Sequence, residues 1–385
     1  MKLKTSLIGL AAACTLMAGC IQDEALNVEA AIDACTGSDI QQAIIDPDHF
    51  KVQLYVSRAV DLQRVNINFA LPEGATIAPL NATGQQEATG GYYNFQDENP
   101  RKFKVTSEDG AHAATYDITV WQTEMPTSYH FETLSSTTPY HVFYEQESAE
   151  GTPGQHVVRR LEWASGNPGY QLTAQAKTTD DYPTVQILNG GVNGGSYVKL
   201  ETKGTGSFGE MVHMPIAAGN LFIGSFDRTN AVNDPMAATH FGFPFFDTPV
   251  RLEGYYRFRR GDVFSSDGEP VPDKQDECDI YGVLYETDAN VQFLDGETSL
   301  TSPNIVSLAR MPQGTYLEET DQWTHFSFPF ELQNGKAIDA DKLRTGGYKL
   351  AVVFSSSVEG AKFNGAIGSI LCVDEVKLTV TTANN

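Results

Sequence analysis

Apolar and polar residues alternate with a period of two along most of the first 125 positions. In residues 64–71, for example, Val65, Ile67 and Phe69 share one face of a strand. Turn-forming Gly, Pro and Asn residues separate such segments, and no helical period of about 3.6 is present. The number and spacing of the segments predict an immunoglobulin-like β-sandwich over residues 31–125. Its strands are predicted at 50–57, 64–71, 103–107 and 115–122.

A second and longer run of strands follows a break at residues 124–128, where Pro126 prevents a strand from continuing. Two domains also suit a chain of 385 residues. Over residues 129–381 helical periodicity is nearly absent, apart from a turn at 338–343. Many strands joined by long Gly- and Pro-rich loops predict a β jelly-roll sandwich. The predicted strands are 155–163, 183–188, 196–202, 220–226, 250–259, 278–286, 304–310, 323–330, 348–355 and 370–380.

The first twenty residues have the composition of an export leader. Lys2 and Lys4 form a basic start, residues 7–18 are apolar and uncharged, and two small residues precede Cys20. The apolar run is too short to span a bilayer, which is typical of a secretory signal peptide. We therefore expect the leader to be removed and the remaining chain to be exported.

The end of this leader resembles the lipobox of bacterial lipoproteins, with Met17 where Leu is usual. The resemblance implies a signal peptide at 1–19, lipidation of Cys20 and a lipidated tether at 20–30. Cys14 is a second candidate for the lipidated residue, and simple secretion is an alternative. The acidic residues that follow Cys20 resemble the export tag of outer-membrane surface lipoproteins, which implies an outer-membrane location facing the cell exterior.

Charge narrows the range of partners. The chain has 26 Lys+Arg against 49 Asp+Glu, a formal net charge of −23. Nucleic-acid binding needs a basic patch, and docking on anionic lipid needs one as well, so this composition argues against both. We expect contact with a membrane only through the lipid anchor.

The cysteines and histidines indicate no metal or nucleophile chemistry. Beyond the leader the cysteines are Cys35, Cys278 and Cys372, an odd number that suits buried thiols and leaves a Cys278–Cys372 bridge open. The sequence contains no HExxH and no GxSxG motif, so a catalytic zinc site and a serine hydrolase elbow have no support.

Three loops could bind ligands but also have simpler interpretations. Residues 204–209 spell GxGxxG, but Pro215 and the lack of a helical period afterwards argue against a dinucleotide site and favour a loop. Residues 189–195 supply Asn and Gly for a hairpin-type turn, with a ligand loop as the alternative. The acidic segment 267–279 could bind calcium, but its spacing matches no template and favours a solvated loop.

Three strands of the second domain combine an apolar face with a face of aromatic and polar residues. Tyr255 and Arg257 alternate along one strand and Trp323 and His325 along another. On a third strand, Tyr281 shares a face with Asp279 and Tyr285. Flat rings cover the apolar face of a sugar, and charged or amide groups bond its hydroxyls. These faces therefore predict a sugar-binding platform; the alternative is an ordinary solvated sheet face.

Glycoside hydrolysis would need two carboxyl groups, about 5–5.5 Å apart for retention or about 6.5–9.5 Å apart for inversion. Glu253 and Asp279 lie on the polar faces of two of these strands and are the candidate catalytic pair. Because the chain has 49 acidic residues, such a pair arises easily by chance.

Seven segments occur in order over nearly all of residues 129–381: Trp163–Tyr170, Ala218–Asp227, Phe241–Phe245, Leu252–Tyr256, Cys278–Tyr285, Lys349–Ser357 and Phe363–Val376. Together they resemble the putative carbohydrate metabolism domain family of surface lipoproteins. The segments Phe103–Gly110 and Tyr116–Val120 look like the immunoglobulin-like domain that precedes this family's domain. The resemblance implies a jelly roll akin to carbohydrate-binding modules. It carries over no catalytic residue.

The resemblance also implies site residues and partners. Trp163 and Asn167 join Tyr255, Arg257, Tyr281, Trp323 and His325 as candidate glycan ligands. No cofactor is required, but a structural calcium between the first and last strands is implied, with Glu132 and Asp374 as its candidate ligands. The implied partners are an oligo- or polysaccharide and outer-membrane glycan-uptake proteins. We expect non-catalytic glycan binding, with a glycoside hydrolase and a structural or adhesive surface protein as alternatives.

Overall fold

A computed structural model describes residues 26–47, 49–58, 60–150, 156–228, 230–310 and 319–381, without the side chains at 42, 148–150 and 156–158. Cys14 and Cys20 lie outside these residues, so the signal peptide, the lipid anchor and the cellular location remain predictions. Within the described ranges, no helix has the length and apolar character needed to cross a membrane.

The first unit is a small β-structure with its own hydrophobic core. Its main sheet has the strand order β2-β3-β9-β8-β6, in which β3 and β9 are parallel, and β1 pairs with β5 and β4 with β7. The strands are β1 Ala34–Thr36, β2 Ile40–Asp46, β3 Lys51–Ser57, β4 Val65–Asn66, β5 Asn68–Ala70, β6 Thr76–Pro79, β7 Tyr92–Tyr93, β8 Arg101–Thr106 and β9 Ala113–Thr123.

Alternation explains this core. Phe103 and Val105 on β8 and Tyr116, Ile118 and Val120 on β9 are all buried, while their neighbours along each strand face outward. The predicted β-structure is confirmed in this unit, and its immunoglobulin-like topology stays a prediction.

The second unit begins at β10, after the Pro126 segment. Its strands are β10 Ser128–Tyr129, β11 Thr133–Ser136, β12 Val142–Glu150, β13 His156–Glu162, β14 Thr184–Ile187, β15 Tyr197–Glu201, β16 Lys203–Gly204, β17 Ile216–Ala217, β18 Asn220–Phe222, β19 Gly224–Phe226, β20 Thr239–Phe241, β21 Phe243–Pro244, β22 Thr248–Arg259, β23 Phe264–Ser266, β24 Glu269–Pro270, β25 Asp279–Glu286, β26 Ile305–Arg310, β27 Thr320–Pro329, β28 Glu331–Leu332, β29 Tyr348–Ser355, β30 Gly365–Ala366 and β31 Ile370–Thr381. Three short α-helices lie in the described ranges, α1 Asn167–Gln171, α2 Gly206–Met211 and α3 Ala340–Arg344, together with 3₁₀ turns at Thr179–Asp181 and Gly360–Lys362.

Two antiparallel sheets form a sandwich. The first sheet has the order β14-β15-β31-β22-β27 and the second sheet has the order β18-β29-β25-β26-β28. Eight principal strands, taken in chain order, are β15, β18, β22, β25, β26, β27, β29 and β31. The first pairs with the eighth, the second with the seventh, the third with the sixth and the fourth with the fifth. This is the rolled-up pairing of a jelly roll, so the predicted fold class is confirmed.

The main core lies between the two sheets. Leu252 and Phe258 of the first sheet face Ile280 and Val352 of the second within one buried cluster. A smaller cluster, which includes Tyr285, lies on the outer side of the second sheet. Loops cover that outer side, whereas the outer side of the first sheet carries part-exposed and exposed residues.

Some elements differ from the prediction. Strand β12, rich in Glu and Gln, lies between β11 and β13, and its polar sequence gave no strand signal. The GxGxxG segment contains α2, where a loop was predicted. At six residues this helix is too short to build a nucleotide site, so the argument against a dinucleotide stands. Cys35, Cys278 and Cys372 are free and buried, so no Cys278–Cys372 bridge forms.

Candidate functional site

The outer face of the first sheet brings four of the predicted ligand residues together. Strands β22 and β27 are neighbours, and Tyr255 lies directly opposite His325. Their rings are in edge contact, with centroids 5.2 Å apart. Arg257 and Trp323 lie beside this pair, with Arg257 stacked over the Trp323 ring. We call Tyr197, Tyr255, Arg257, Trp323 and His325 the aromatic platform.

Arg257 is the centre of the aromatic platform. Its Cζ lies 4.1 Å from the centroid of the Trp323 ring and 5.0 Å from that of Tyr197. The two rings also contact each other edge to face at 5.3 Å. Because the guanidinium is planar and less strongly hydrated than an ammonium, it can stack on rings and still present N–H donors. The cluster therefore holds two aromatic rings and a planar cation in one fixed arrangement.

The backbone pattern of β22 explains why these side chains face solvent. Leu252, Tyr256 and Phe258 point into the core, so Tyr255 and Arg257 point outward and are part-exposed. Gly254 occupies an inward position that larger residues could not, because a Cβ there would lie 2.8 Å from Val376 Cγ2. The strand can thus pack closely on the core while its other face stays open.

Tyr197 was missed by the sequence analysis. It lies on β15, two strands away from β22 across β31, and reaches Arg257 over the surface of the sheet. The signal was present in the alternation of Tyr197, Lys199 and Glu201 against buried Val198 and Leu200. The order of strands in the sheet is what joins it to the platform, and the sequence does not give that order.

The glycine-rich loop at 189–195 forms one border of the platform. The Trp323 indole N–H donates to the Gly190 carbonyl oxygen at 2.9 Å. Asn189, Gly190 and Gly194 all have positive φ, as the predicted turn requires. A Cβ on Gly195 would lie 1.9 Å from the Glu132 carboxylate, so a larger residue there would displace the Glu132 side chain.

Glu132 and Asp374, the candidate calcium ligands, both face this loop. Glu132 accepts from the Ser196 N–H at 2.9 and 3.0 Å, and Asp374 accepts from the Val192 N–H at 2.6 Å. Burial raises the pKa of Asp374 to about 6. In the described ranges no three His, Cys, Asp or Glu side chains converge as a metal site would require. Both carboxylates accept N–H groups of this loop and help to hold it in place, and calcium stays an expectation.

The two candidate catalytic residues, Glu253 and Asp279, lie on opposite sides of the sandwich. Glu253 lies on the outer face of the first sheet, because its neighbours Leu252 and Gly254 are buried inward. Asp279 lies on the outer face of the second sheet, because Ile280 points into the core. Stacked sheets are about 10 Å apart, so the whole core separates these two carboxyl groups. The prediction that they act together is wrong.

Asp279 and Tyr281 lie instead beneath the loops that cover the second sheet. Asp279 is held by Arg310, whose Nε and Nη2 donate to its two oxygens at 3.0 and 2.7 Å. Burial raises the pKa of Asp279, and Arg310 opposes that shift. Tyr281 is 5% exposed and donates to Ser299 Oγ at 3.2 Å. Both residues line a cavity of about 230 Å³, and neither belongs to the platform.

Trp163 and Asn167 are interior residues. Trp163 is 2% exposed and packs against Tyr129, Phe131 and Phe354. Asn167 is fully buried; its Nδ2 donates to the Thr184 carbonyl oxygen at 2.8 Å, and its Oδ1 accepts from the Thr184 N–H at 3.1 Å. Neither side chain can reach a glycan in solvent, which contradicts their assignment as ligands.

Two glutamates with displaced pKa values also escaped the sequence analysis. Burial raises the pKa of Glu145 and of Glu162 to about 7. Glu145 accepts from the His130 and Phe131 N–H groups at 3.0 and 2.7 Å, and Glu162 accepts from Ser135 Oγ at 2.7 Å. They lie on opposite faces of the β11-β12-β13 sheet, because Glu145 pairs with Leu161 and Glu162 with Tyr144. They do not form a catalytic pair.

Comparison with known proteins identifies a family that the chain matches. Residues 130–379 match the family model described as “Putative carbohydrate metabolism domain”. No curated protein matches the chain significantly.

Two solved structures are similar to the chain. A putative glycoside hydrolase from Bacteroides thetaiotaomicron VPI-5482 is 42% identical, with a TM-score of 0.77, and the match covers 94% of this chain and 99% of that one. A putative glycoside hydrolase from Bacteroides vulgatus ATCC 8482 is 38% identical, with a TM-score of 0.60, and the match covers 68% and 100%. TmCBM61 in complex with beta-1,4-galactotriose has a TM-score of 0.21 at 10% identity, too low to support an argument.

Proposed function

The chain belongs to the family of putative carbohydrate metabolism domains, and on this premise we propose that it binds an oligo- or polysaccharide on the aromatic platform without cleaving it. The observation that carries the proposal is the cluster of Arg257 with the Tyr197 and Trp323 rings, both of which lie within 5.0 Å of its Cζ, on an open sheet face. A sugar offers apolar C–H faces and a rim of hydroxyls, and this cluster offers rings and N–H donors side by side.

The arrangement gives each group a role. Arg257 covers one face of the Trp323 indole, so the opposite face is the one that would receive a sugar ring. The exposed His325 and the part-exposed Tyr255 would bond the hydroxyls of the next sugar unit. Holding the rings before binding lowers the ordering cost that a flexible site would incur.

The carboxylates of this face support binding over hydrolysis. Glu253 lies opposite Ser327 and Lys377 in the two strand pairs of β22. Asp374 is 2% exposed and is held by the loop, so a sugar on the platform could not reach it. Glu201, on the outward face of β15, is paired with Lys199 and Lys203. A glycosidase needs two carboxyl groups that both face the scissile bond.

A glycoside hydrolase is the second candidate. It is favoured by the 42% identity to a protein described as a putative glycoside hydrolase and by Glu162, whose raised pKa of about 7 would leave it about half protonated at neutral pH. A structural or adhesive surface protein is the third. Release of reducing ends from a bound glycan separates the second candidate from the first, and absence of any glycan binding favours the third.

The cellular setting is part of the proposal. The leader and the Cys20 lipobox support a lipid-anchored protein of the outer membrane that faces outward. There it would capture glycan for outer-membrane uptake proteins. The chain has 49 acidic and 26 basic residues, and this negative net charge suits a protein that stays in solution near a membrane surface.

The test replaces Trp323 by Ala and measures affinity for any glycan that the wild-type chain binds. We expect a loss of about tenfold or more, equivalent to about 1.4 kcal/mol or more, because the stacking surface is removed. Trp121→Ala is the matched control, since Trp121 is exposed and, like the part-exposed Trp323, has an arginine over its ring (Arg160, at 4.4 Å), but it lies outside the platform. Equal losses in both variants would contradict the assignment.

A further inference from the structure

The cavity on the second sheet is a separate site from the aromatic platform. It lies on the outer side of the sheet, where β18, β25 and β29 supply Phe222, Asp279, Tyr281, Val353 and Ser355 to its lining. Residues of α1, of α2 and of the loops after β19 and β25 complete it. The core of the sandwich separates it from the platform, so the two sites cannot share one ligand.

The side walls of the cavity are apolar. Phe226, Met236, Phe241 and Leu300 are among its lining residues. The wall threonines contribute little polarity, because their hydroxyls donate to nearby backbone carbonyl oxygens: Thr173 to Tyr170 at 2.7 Å, Thr205 to Met214 at 2.5 Å and Thr239 to Met236 at 3.2 Å. A ligand would therefore meet carbon along most of its length.

One end of the cavity is polar. The Asp279 carboxylate is held by Arg310, and the Tyr281 hydroxyl donates to Ser299 Oγ. Asp279 is 8% exposed and Ser299 is 6% exposed, so these groups are almost dry in the absence of a ligand. The Ser299 hydroxyl accepts from Tyr281 and retains its own hydrogen for donation, and the Asp279 oxygens retain lone pairs. The polar end can thus bond one small donor–acceptor group.

We propose that this cavity binds a small apolar molecule that carries one hydroxyl group, with the hydroxyl at the Asp279–Tyr281–Ser299 end. Ligand sites are typically concave and mostly apolar, with a few convergent polar groups that fix orientation. A polyol such as a free sugar is excluded as the main occupant, because most of its hydroxyls would lose water against carbon walls. The proposal is independent of glycan binding on the platform.

The mouth of the cavity is consistent with such a ligand. Leu172 and Phe208 line it and remain 40% and 37% exposed. Phe208 belongs to α2, within the Gly204–Gly209 segment. This segment has no role in the proposed glycan binding. Gly209 is packed so closely there that a Cβ would lie 2.0 Å from Thr205 Oγ1. Thr205, Phe208 and Gly209 of this segment therefore form part of the cavity wall, and the segment does not serve as a nucleotide site.

The test measures binding of 2-naphthol to the chain from residue 25 onward. Naphthalene and inositol are the comparison compounds. We expect saturable one-to-one binding of 2-naphthol by titration calorimetry, at least fivefold weaker binding of naphthalene and none of inositol. Ser299→Ala, which removes the hydroxyl that would donate to the ligand, should remove most of the preference for 2-naphthol over naphthalene. Absence of 2-naphthol binding up to its solubility limit would overturn the proposal.

A cavity-filling variant that stays folded shows whether a loss of 2-naphthol binding comes from the cavity or from misfolding. Ala231 is 8% exposed and lines the cavity, so Ala231→Leu should occupy the ligand volume while the melting temperature is maintained. We expect 2-naphthol affinity to fall at least tenfold in this variant and glycan binding to be unchanged. Unchanged 2-naphthol affinity in a folded Ala231→Leu protein would place the probe elsewhere and would refute the site. Loss of platform binding in Trp323→Ala should leave 2-naphthol binding intact.

Discussion

Single residues decide which of the polar sheet faces can bind a ligand. The Arg257 guanidinium lies over the Tyr197 and Trp323 rings, and these contacts hold both rings in place before any glycan arrives. Lysine would be a poorer residue here, because a compact ammonium lacks the planar surface that a guanidinium can lay on the Trp323 indole. The platform is thus built around one cation on β22, whose ring partners come from β15 and β27 of the same sheet.

At the same scale, Glu145 is a buried acid outside the platform. Its raised pKa, about 7 against an ordinary value of 4.5, means that the folded state prefers the protonated form. A group of this kind leaves stability unaffected below its unfolded pKa and lowers stability as the pH rises through the folded pKa. As the pH rises from about 4.5 to 7, the free energy of unfolding of the wild-type protein therefore decreases because of Glu145.

Glu145→Gln should remove that loss. The amide oxygen can still accept from the His130 and Phe131 N–H groups, and it carries no charge at any pH. Relative to wild type, the variant should gain up to about 3 kcal/mol in free energy of unfolding between pH 4 and pH 8. Denaturant unfolding at the two pH values measures this, and a difference between variant and wild type that stays constant with pH would contradict it.

Residues with similar sequence context have different fates for a physical reason. Alternation placed Tyr255 and Tyr281 alike on polar faces of strands, and both assignments of face are correct. Tyr281 is nevertheless buried, because loops far along the chain cover its side of the second sheet. Trp163 and Asn167 likewise lie in segments that suggested a site and serve the interior. Strand periodicity gives the face of a residue but not what covers that face.

Among the elements, one aspartate joins the loops at the edge of the sandwich. Asp276 is fully buried and accepts from Ser357 Oγ and Ser369 Oγ at 2.6 Å each and from the Ala366 N–H at 2.8 Å. Its other oxygen accepts from the Glu277 N–H at 2.9 Å. The segment 267–279 was predicted to be a solvated acidic loop, and at Asp276 that prediction is wrong. The carboxylate instead joins the loop before β25 to the segments around β30.

Asp276→Ala should destabilise the second unit. Four buried or part-buried donors would lose their acceptor, at a cost of about 3 kcal/mol or more. For a unit of this size the melting temperature should fall by about 6–12 °C. Glu269→Ala, an exposed residue of the same loop, is the control and should change stability by no more than about 0.5 kcal/mol. Equal effects of the two substitutions would show that Asp276 does not join these loops.

Strands were predicted well where apolar side chains recur along them, and poorly where most side chains are polar. Strands such as β22 and β29 were found nearly to the residue, because burial on one or both faces requires a run of apolar side chains. Strand β12 was missed because its outer half is rich in Glu and Gln and is held in place by pairing with β11 and β13. The jelly roll itself was expected from the number of strands and from the family resemblance. The order of strands came only from the structure.

At the scale of the whole molecule, Glu124 joins the two units. Its side chain accepts from Arg58 of the first unit at 2.6 Å and from Arg159 of the second at 3.3 Å. Its backbone oxygen accepts from the Arg160 N–H at 3.1 Å. Arg160 in turn stacks on Trp121 of the first unit. The junction is therefore a defined contact and more than a flexible connection.

Glu124→Ala should loosen this junction. Loss of the shared acceptor should make local opening easier by about 1 kcal/mol, which corresponds to about fivefold faster proteolytic cleavage within residues 124–128. Mass spectrometry of the early fragments measures that rate. Glu87→Ala, which removes a partner of Arg101 within the first unit, is the control and should leave the rate unchanged. An unchanged rate in Glu124→Ala would indicate that other contacts hold the units together.

Glycan binding without cleavage is the central claim, and one measurement tests it directly. The chain from residue 25 onward is applied to an array of oligo- and polysaccharides, and every glycan that it binds is then assayed for release of reducing ends. We expect binding to at least one class of glycan and no release, with binding reduced by Trp323→Ala. Release would identify a hydrolase, and failure to bind any glycan would contradict the assignment of the aromatic platform.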